Sequence, residues 1–368
     1  MSDELMYQVA LELIPGVGKR GVKHLFSYCG SAHEVFNTSK HKLLKIPGVG
    51  SKLATLIQQS RHFGEAEKII EDAYKINAQI LHFTHPDFPH RLKQIPDSPN
   101  IIYVKGNGHL NPKRSVAVVG TRKATNYGKE MTDRIISELS TLDVSVISGL
   151  AYGIDIQAHK ACLKENLSTF AVLAGGLDRI YPSQHKKYVE QMLDKGGIIT
   201  ESLPGTKPDP HLFPERNRII AGLADATIVV EAAEKGGALI TANLADSYDR
   251  AVFAVPGDVG NTYSEGTNRL IASQRALIYT SVVDLLYHLN WEVKNNRVQE
   301  KELPEMSNEE FKIFDLLVEK QQPIDIDFIA IQTQIPINRV ASALLSLEFS
   351  NLVKSLPGKK FQCVRAHK

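Results

Sequence analysis

The stretch from Leu212 to Gly257 reads LFPERNRIIAGLADATIVVEAAEKGGALITANLADSYDRAVFAVPG, and it decides the fold. A helical run leads into the apolar strand ATIVVEA (226–232), the chain turns at Lys235-Gly236-Gly237, helical spacing returns, and RAVFAVPG (250–257) forms a second strand. Neither strand alternates apolar with polar residues, which indicates burial on both faces and hence a parallel sheet covered by helices. The same grammar extends backwards through SVAVVG (115–120), VSVISG (144–149), STFAVLAG (168–175) and GGIIT (196–200). The fold class is α/β, with a Rossmann-like doubly wound parallel sheet over about 110–290. Ligands of such sheets bind beyond the carboxyl ends of the strands.

Glycine turns and guanidinium groups recur at those ends. VVGTRKATNYG places Gly120, Thr121 and Arg122 after the first strand, and ISGLAYGIDIQAH places Ser148 and Gly149 after the second. LAGGLDRIYP follows the third with Asp178, Arg179 and Tyr181, where Asp178 and Tyr181 read as turn and packing residues. The opening stretch adds Phe213, Arg216, Asn217 and Arg218 at a loop-to-helix junction and Lys235, Gly236 and Gly237 after a strand. Backbone amides at glycine turns together with arginine forks suit phosphate oxygens, and Phe213 offers a flat face on which a base can stack.

The flanks differ in character. LELIPGVGKRGVKHLF (11–26) is echoed by LLKIPGVGSKLATLIQ (43–58), thirty-two residues on. The repeat resembles a tandem helix-hairpin-helix (SAM-like) module, in which glycine turns let backbone amides at a helix start reach a phosphate. Lys19, Arg20, Lys23 and Lys52 lie where they add charge, yet residues 1–65 hold only eight Lys/Arg against five acids. Phosphate contact and plain packing both stand as readings of this segment. At the other end, three helical stretches near 308–320, 325–332 and 336–348 precede a hairpin around Pro357-Gly358, the pattern of a winged helix. Residues 301–368 carry nine Lys/Arg and nine acids, and the candidate recognition helix INRVASALLSLE has one cation, Arg339, which favours protein contact over duplex reading. The domain organisation expected is 1–80 helix-hairpin-helix with a connecting helix, 81–290 extended Rossmann-like with an irregular lead-in over 81–110, 291–305 linker, and 306–368 winged-helix-like.

Composition narrows the chemistry. The 368 residues carry a formal net charge of +2, so any anion binding is local. Cys29, Cys162 and Cys363 form no CxxC pair, and no apolar run reaches membrane-spanning length, so the expectation is a cytoplasmic protein with neither zinc nor a disulfide framework. No GxxxxGK[ST] occurs, neither VVGTR nor GLAYG completes GxGxxG at a strand end, and no carboxylate cluster shows metal-ligand spacing, so neither cofactor nor metal is expected. Asp155 and His159, spaced i,i+4, are a candidate acid-base pair, with a helix-stabilising contact the commoner use of such spacing.

The motifs VVGTR, SGLAYGIDIQAH, LAGGLDRIYP, ESLPG, FPERNRIIAG, VVEA, GGALITANLA and VFAVPG resemble, in order, the DNA-processing protein A family (DprA, also called Smf). The resemblance covers about 81–290 densely, and the flanking modules match the family's domain order. It implies a non-enzymatic protein of natural transformation that binds and protects single-stranded DNA, helps load the RecA recombinase, and forms a homodimer through the Rossmann-like domain. It also implies a DNA pocket at Gly120, Thr121, Arg122, Ser148, Gly149, Phe213, Arg216, Asn217, Arg218, Lys235, Gly236 and Gly237. The chain departs from the family at Gly236-Gly237, which should keep the turn, and at Asp249-Arg250 and Arg275-Ala276, which leave loop shape and the dimer or RecA surface open. The competing reading is a nucleotide phosphoribohydrolase of the lysine-decarboxylase-like Rossmann type, whose PGGxGTxxE signature lacks its glutamate in EKGGALITANLA.

Overall fold

A computed structural model describes residues 3–60, 62–292, 306–320, 322–350 and 352–364, and the chain divides into two compact units at Val293 and Lys294. The first unit is built on nine strands: β1 (Gln79–His82), β2 (Ile101–Lys105), β3 (Ser115–Val119), β4 (Ser145–Ser148), β5 (Thr169–Val172), β6 (Gly197–Thr200), β7 (Ala226–Val229), β8 (Ala251–Ala254) and β9 (Leu277–Ile278). Their order in the sheet is β1-β2-β6-β5-β4-β3-β7-β8-β9. From β6 to β9 every neighbouring pair is parallel.

Alternate residues of β3 explain why the strand is apolar throughout. Val116 and Val118 enter one helix-covered layer, while Ala117 and Val119 enter the other. The helices Asn126–Leu139 and Ile154–Lys164 supply the first layer, and Leu212–Leu223 with Gly237–Ser247 supply the second. The chain steps outward from β3 through β4, β5 and β6, then returns to the other side of β3 with β7. That reversal opens a crevice between the loops after β3 and β7, the place where such sheets take ligands.

The lead-in of 81–110 is not irregular throughout. It contains β2, which pairs antiparallel with β6 and with β1, so that Tyr103 lies opposite Thr200 on one side and Ile80 on the other. The four-residue helix His90–Lys93 lies between the two strands. Prolines at 86, 89, 96 and 99 precede the apolar run Ile101–Val104 and disguise an otherwise ordinary strand.

The sequence repeat is a structural repeat. Leu11, Ile14, Val17, Val22 and Leu25 share one core with Leu43, Ile46, Val49, Ala54 and Ile57, each pair thirty-two positions apart. The first glycines of the two Pro-Gly-Val-Gly turns, Gly16 and Gly48, both take positive φ. These helices belong to the same compact unit as the sheet. Phe26 packs edge-on against Phe83 at 5.1 Å, and Leu5, Val9 and Ala10 join a core with Ile80 and Tyr103. Trp291, at the head of the expected linker, lies under Arg114 at 5.3 Å, and the rest of that linker from 293 to 305 falls outside the described residues.

The second unit holds the helices Asn308–Lys320, Ile326–Thr333 and Ile337–Phe349 and three strands, β10 (Ile324–Asp325), β11 (Val353–Leu356) and β12 (Lys360–Cys363), in the order β10-β12-β11. β11 and β12 are the hairpin, turning through Gly358 at φ +86° and Lys359 at φ +57°. Three helices with a small sheet of this order make a winged helix. Among the described residues no helix is long and apolar enough to cross a membrane.

Candidate nucleic-acid interface

The crevice at the sheet reversal is a cleft of about 850 Å³. Gly120, Thr121, Arg122, Phe213, Arg216, Asn217, Lys235, Gly236 and Gly237 all line it. Ser148, Gly149 and Arg218 do not, and each has a different occupation. Ser148 is fully buried and donates its hydroxyl to the Val118 carbonyl at 2.7 Å. Gly149 packs directly beneath Arg216, where a Cβ would lie 2.1 Å from Nη1. Arg218 bridges Glu201 and the Asp97 carbonyl and faces a second cleft.

Sequence placed Arg216 to Arg218 at a loop-to-helix junction; the helix in fact begins at Leu212, so all three residues are one turn inside it and buried. The consequence for Arg216 is chemical. Its Nη1 donates to the carbonyls of Gly149 at 2.5 Å and Val172 at 2.6 Å, at the ends of β4 and β5. Burial pulls its pKa down to about 10, with Asp155 opposing the shift and Arg122 adding to it. Burial also pushes the Asp155 carboxyl up, against the pull of Arg216. Arg216 is thus a strut between strand ends through Nη1, while its Nε is buried without a hydrogen-bond partner among the described residues.

The cations on the open side of the cleft are others. Arg122 is exposed, makes no hydrogen bond or ion pair among the described residues, and holds its guanidinium carbon 5.2 Å from the centre of the Phe213 ring. The Arg216 guanidinium carbon lies 5.9 Å from the same ring. The ring therefore sits between two cations, each within cation–π range. Lys123 and Lys235 are exposed on the rim.

Tyr181 was read as a turn residue from its setting in LDRIYP. It lines the cleft instead, half exposed, with its ring 6.1 Å from Phe213 at 66°. Pro208 and Pro210, from the stretch after β6, and Thr262 and Tyr263, from the loop after β8, complete the wall and carried no signal of their own. Asp155 and His159 do not form an acid-base pair: Asp155 faces Arg216, while His159 Nδ1 bonds Thr169 Oγ1 at 2.8 Å beneath the sheet surface.

Gly236 and Gly237 open the eleven-residue helix Gly237–Ser247, and a Cβ on Gly237 would meet nothing within 4 Å. The glycine here leaves backbone amides uncovered rather than relieving a clash. Gly120 is the opposite case, since a Cβ would lie 2.5 Å from Ile154.

A helix start beside β3 is where a Rossmann dinucleotide rests its pyrophosphate. In this chain a side chain occupies it. Glu231, only 1% exposed at the end of the β7 run, accepts from Thr125 N at 3.0 Å and from Thr125 Oγ1 at 2.5 Å, while Gly128 N donates to Thr125 Oγ1 at 3.1 Å. Gly128 is glycine because the carboxylate lies against it: a Cβ would come within 2.2 Å of Oε2.

Known proteins share this architecture. Residues 79–290 match the model of the DNA recombination-mediator protein A family, and residues 299–359 match that of the DprA winged helix domain. The Smf protein of Synechocystis is 32% identical over 98% of this chain and 99% of its own, and that of Escherichia coli is 32% identical over 85% and 86%. The crystal structure of DNA processing protein A from Streptococcus pneumoniae superposes with a TM-score of 0.68 at 28% identity, covering 78% of this chain and 98% of that one. The Helicobacter pylori protein, whose structure was described for its single-stranded DNA binding mode, gives a TM-score of 0.53 at 28% identity over 58% and 96%. The chain belongs to the DNA recombination-mediator protein A family.

Proposed function

We propose that the protein binds single-stranded DNA in the central cleft and acts as a recombination mediator, not as an enzyme. The observation that carries this reading is Phe213, a half-buried ring between Arg122 and Arg216, set beside uncovered amides at Gly236 and Gly237. Base–aromatic stacking beside cations that already contact the ring is sequence-tolerant, because every base has a face and every nucleotide a phosphate. Exposed Arg122, Lys123 and Lys235 take the phosphates. Buried Arg216, Asn217, Ser148 and Gly149 hold the ring and loops in place, and Gly120 and Thr121 shape the turn.

The single-stranded DNA binding mode described for the Helicobacter pylori relative supports the same ligand. In this reading the protein works in the cytoplasm, shields incoming strands in natural transformation and passes them to RecA. It dimerises through the Rossmann-like domain: the edge strand β9 exposes Leu277 and Ile278, and the following helix exposes Val283 and Tyr287. The winged-helix unit exposes Ile331, Leu345 and Phe349, an apolar surface suited to protein contact.

A phosphoribohydrolase is the competing reading. Ala238 follows the glycine pair where that chemistry needs its signature, and Glu231 is spent on Thr125. The test is fluorescence anisotropy of the full chain on single-stranded and duplex oligonucleotides across a salt series. Strong preference for the single strand with a negative salt slope supports the proposal. Equal duplex binding, or release of adenine from AMP by the purified protein, overturns it.

A further inference from the structure

A second cleft of about 830 Å³ adjoins the first, and the two share Pro214 and Ile240 as a common wall. Its far side is the first copy of the helical repeat: Val17, Gly18, Arg20, Gly21 and Lys23 face the segment Pro96–Ser98 and the start of the helix bearing Arg218. The second copy contributes nothing to it, although Lys52 stands thirty-two positions after Arg20 and is its counterpart. The two copies also differ at the turn, where Gly18 has φ +57° and Gly50 has φ −79°.

Three cations line this cleft, and the acids beside them are engaged. Asp97 Oδ1 accepts from the Tyr248 hydroxyl at 2.7 Å, and Arg218 is held by Glu201, while Glu215 lies exposed on the rim. Lys23 is half buried, donates to the Ser98 carbonyl at 2.9 Å, and has its pKa pulled down to about 8 by burial and by Arg218, with Asp97 opposing. Two cations held together and partly stripped of water are the condition that a bound anion relieves. Lys23 and the contact of Phe26 with Phe83 tie the first hairpin to the sheet, so the cleft is a fixed feature of the first unit.

We propose that this second cleft holds the sugar-phosphate backbone of a DNA single strand that leaves the central cleft over Pro214 and Ile240. The proposal rests on single-strand binding in the central cleft. The first repeat copy supplies Arg20 and Lys23 to the phosphates, and Arg218 fixes the opposite wall. The second copy serves as the packing partner that keeps the first in place. One sequence motif used twice therefore has two occupations.

The internal counterpart provides the control. Arg20→Glu and Lys52→Glu remove the same charge from equivalent positions, both exposed, so a diffuse loss of attraction affects them equally. Binding of the full chain is measured with oligothymidylates of about 6 and about 20 nucleotides, lengths spanning the usual range of single-strand sites. Expected on the longer strand is a loss of about five-fold or more for Arg20→Glu, with a salt slope shallower by about 0.7 or more. Lys52→Glu leaves affinity and slope unchanged, and Arg20→Glu leaves the shorter strand unaffected. Lys23→Gln gives a second variant on the same wall, read only with an unchanged thermal midpoint.

Equal effects of Arg20→Glu and Lys52→Glu overturn the proposal. So does full affinity of Arg20→Glu for the longer strand while Arg122→Ala weakens both lengths, and in that case the central reading stands alone. If Arg122→Ala changes neither length, the central reading fails and the extension falls with it.

Discussion

The guanidinium carbon of Arg122 lies 5.2 Å from the centre of the Phe213 ring, and nothing else among the described residues holds that guanidinium. An exposed arginine against an aromatic face gains little in water, about 0.5–1 kcal/mol, so its placement does little for stability. It is useful when a base covers the ring and a phosphate meets the guanidinium. Arg122→Ala is expected to weaken single-strand binding several-fold and to make the salt slope shallower by about 0.7, the contribution of one phosphate contact on a single strand. Its thermal midpoint stays at the wild-type value. Unchanged affinity across the salt series removes Arg122 from the interface.

Gly237 and Gly149 separate ligand approach from folding. A Cβ on Gly237 meets open space, so Gly237→Ala folds as wild type or gains up to about 1 kcal/mol from the stiffer unfolded chain. Any loss of DNA affinity in that variant then reports a strand lying against the backbone. Gly149→Ala drives a methyl into Arg216 Nη1 and Asp155 Oδ2, at 2.1 and 2.6 Å, and is expected to lower stability by about 1–3 kcal/mol or more. Denaturant midpoints together with anisotropy titrations distinguish the two. A destabilised Gly237→Ala contradicts the open geometry.

The parallel strands were legible because β3, β4, β5, β6 and β7 are buried on both faces and therefore mostly apolar, with only serine and threonine as polar members and no charge. The glycine turns were legible because backbone that must bend or approach closely leaves a residue-level mark. The division of labour among the arginines was not. Arg216 and Arg218 sit two residues apart in RNR, and nothing in that triplet tells which wall of the helix each meets. Only packing shows that Arg216 braces β4 and β5, that Arg218 meets Glu201, and that Arg122 lies exposed over Phe213. β2 was hidden for a local reason: four prolines ahead of it read as loop, while its pairing partner β6 lies about a hundred residues away. Such long-range pairing overrides local composition.

His159 sets an acid limit on stability. Buried against Thr169 with its Nε2 unpartnered, it has its pKa pulled down to about 3 by burial, with His185 and Arg216 adding to the shift. The unfolded chain takes up a proton near the ordinary value of 6.5 and the folded chain does not. Between these values the unfolded state binds more protons, so stability rises with pH and is lost as pH falls from 6.5 toward 3. The full effect is on the order of a few kcal/mol. Comparing denaturant midpoints at pH 7 and about pH 5 should show a clear drop for the wild type and a smaller drop for His159→Gln, which cannot titrate. Equal drops in both proteins place the acid sensitivity elsewhere.

Glu231 fills the helix start that a Rossmann cofactor's phosphate would use, and that occupation can be tested by emptying it. Its carboxylate takes up Thr125 N and Thr125 Oγ1 at the positive end of the helix Asn126–Leu139. Glu231→Ala leaves a buried amide and hydroxyl without an acceptor and a void beside Gly128, and is expected to lower stability by about 2–4 kcal/mol. An anion of suitable size should restore part of the loss, because the dipole and the amide remain. Added sulfate should therefore raise the thermal midpoint of Glu231→Ala by more than it raises that of the wild type, whose site is already filled. Sodium chloride at matched ionic strength controls for screening. If sulfate stabilises both proteins equally, the helix start is not an anion site, and Glu231 is there for packing alone.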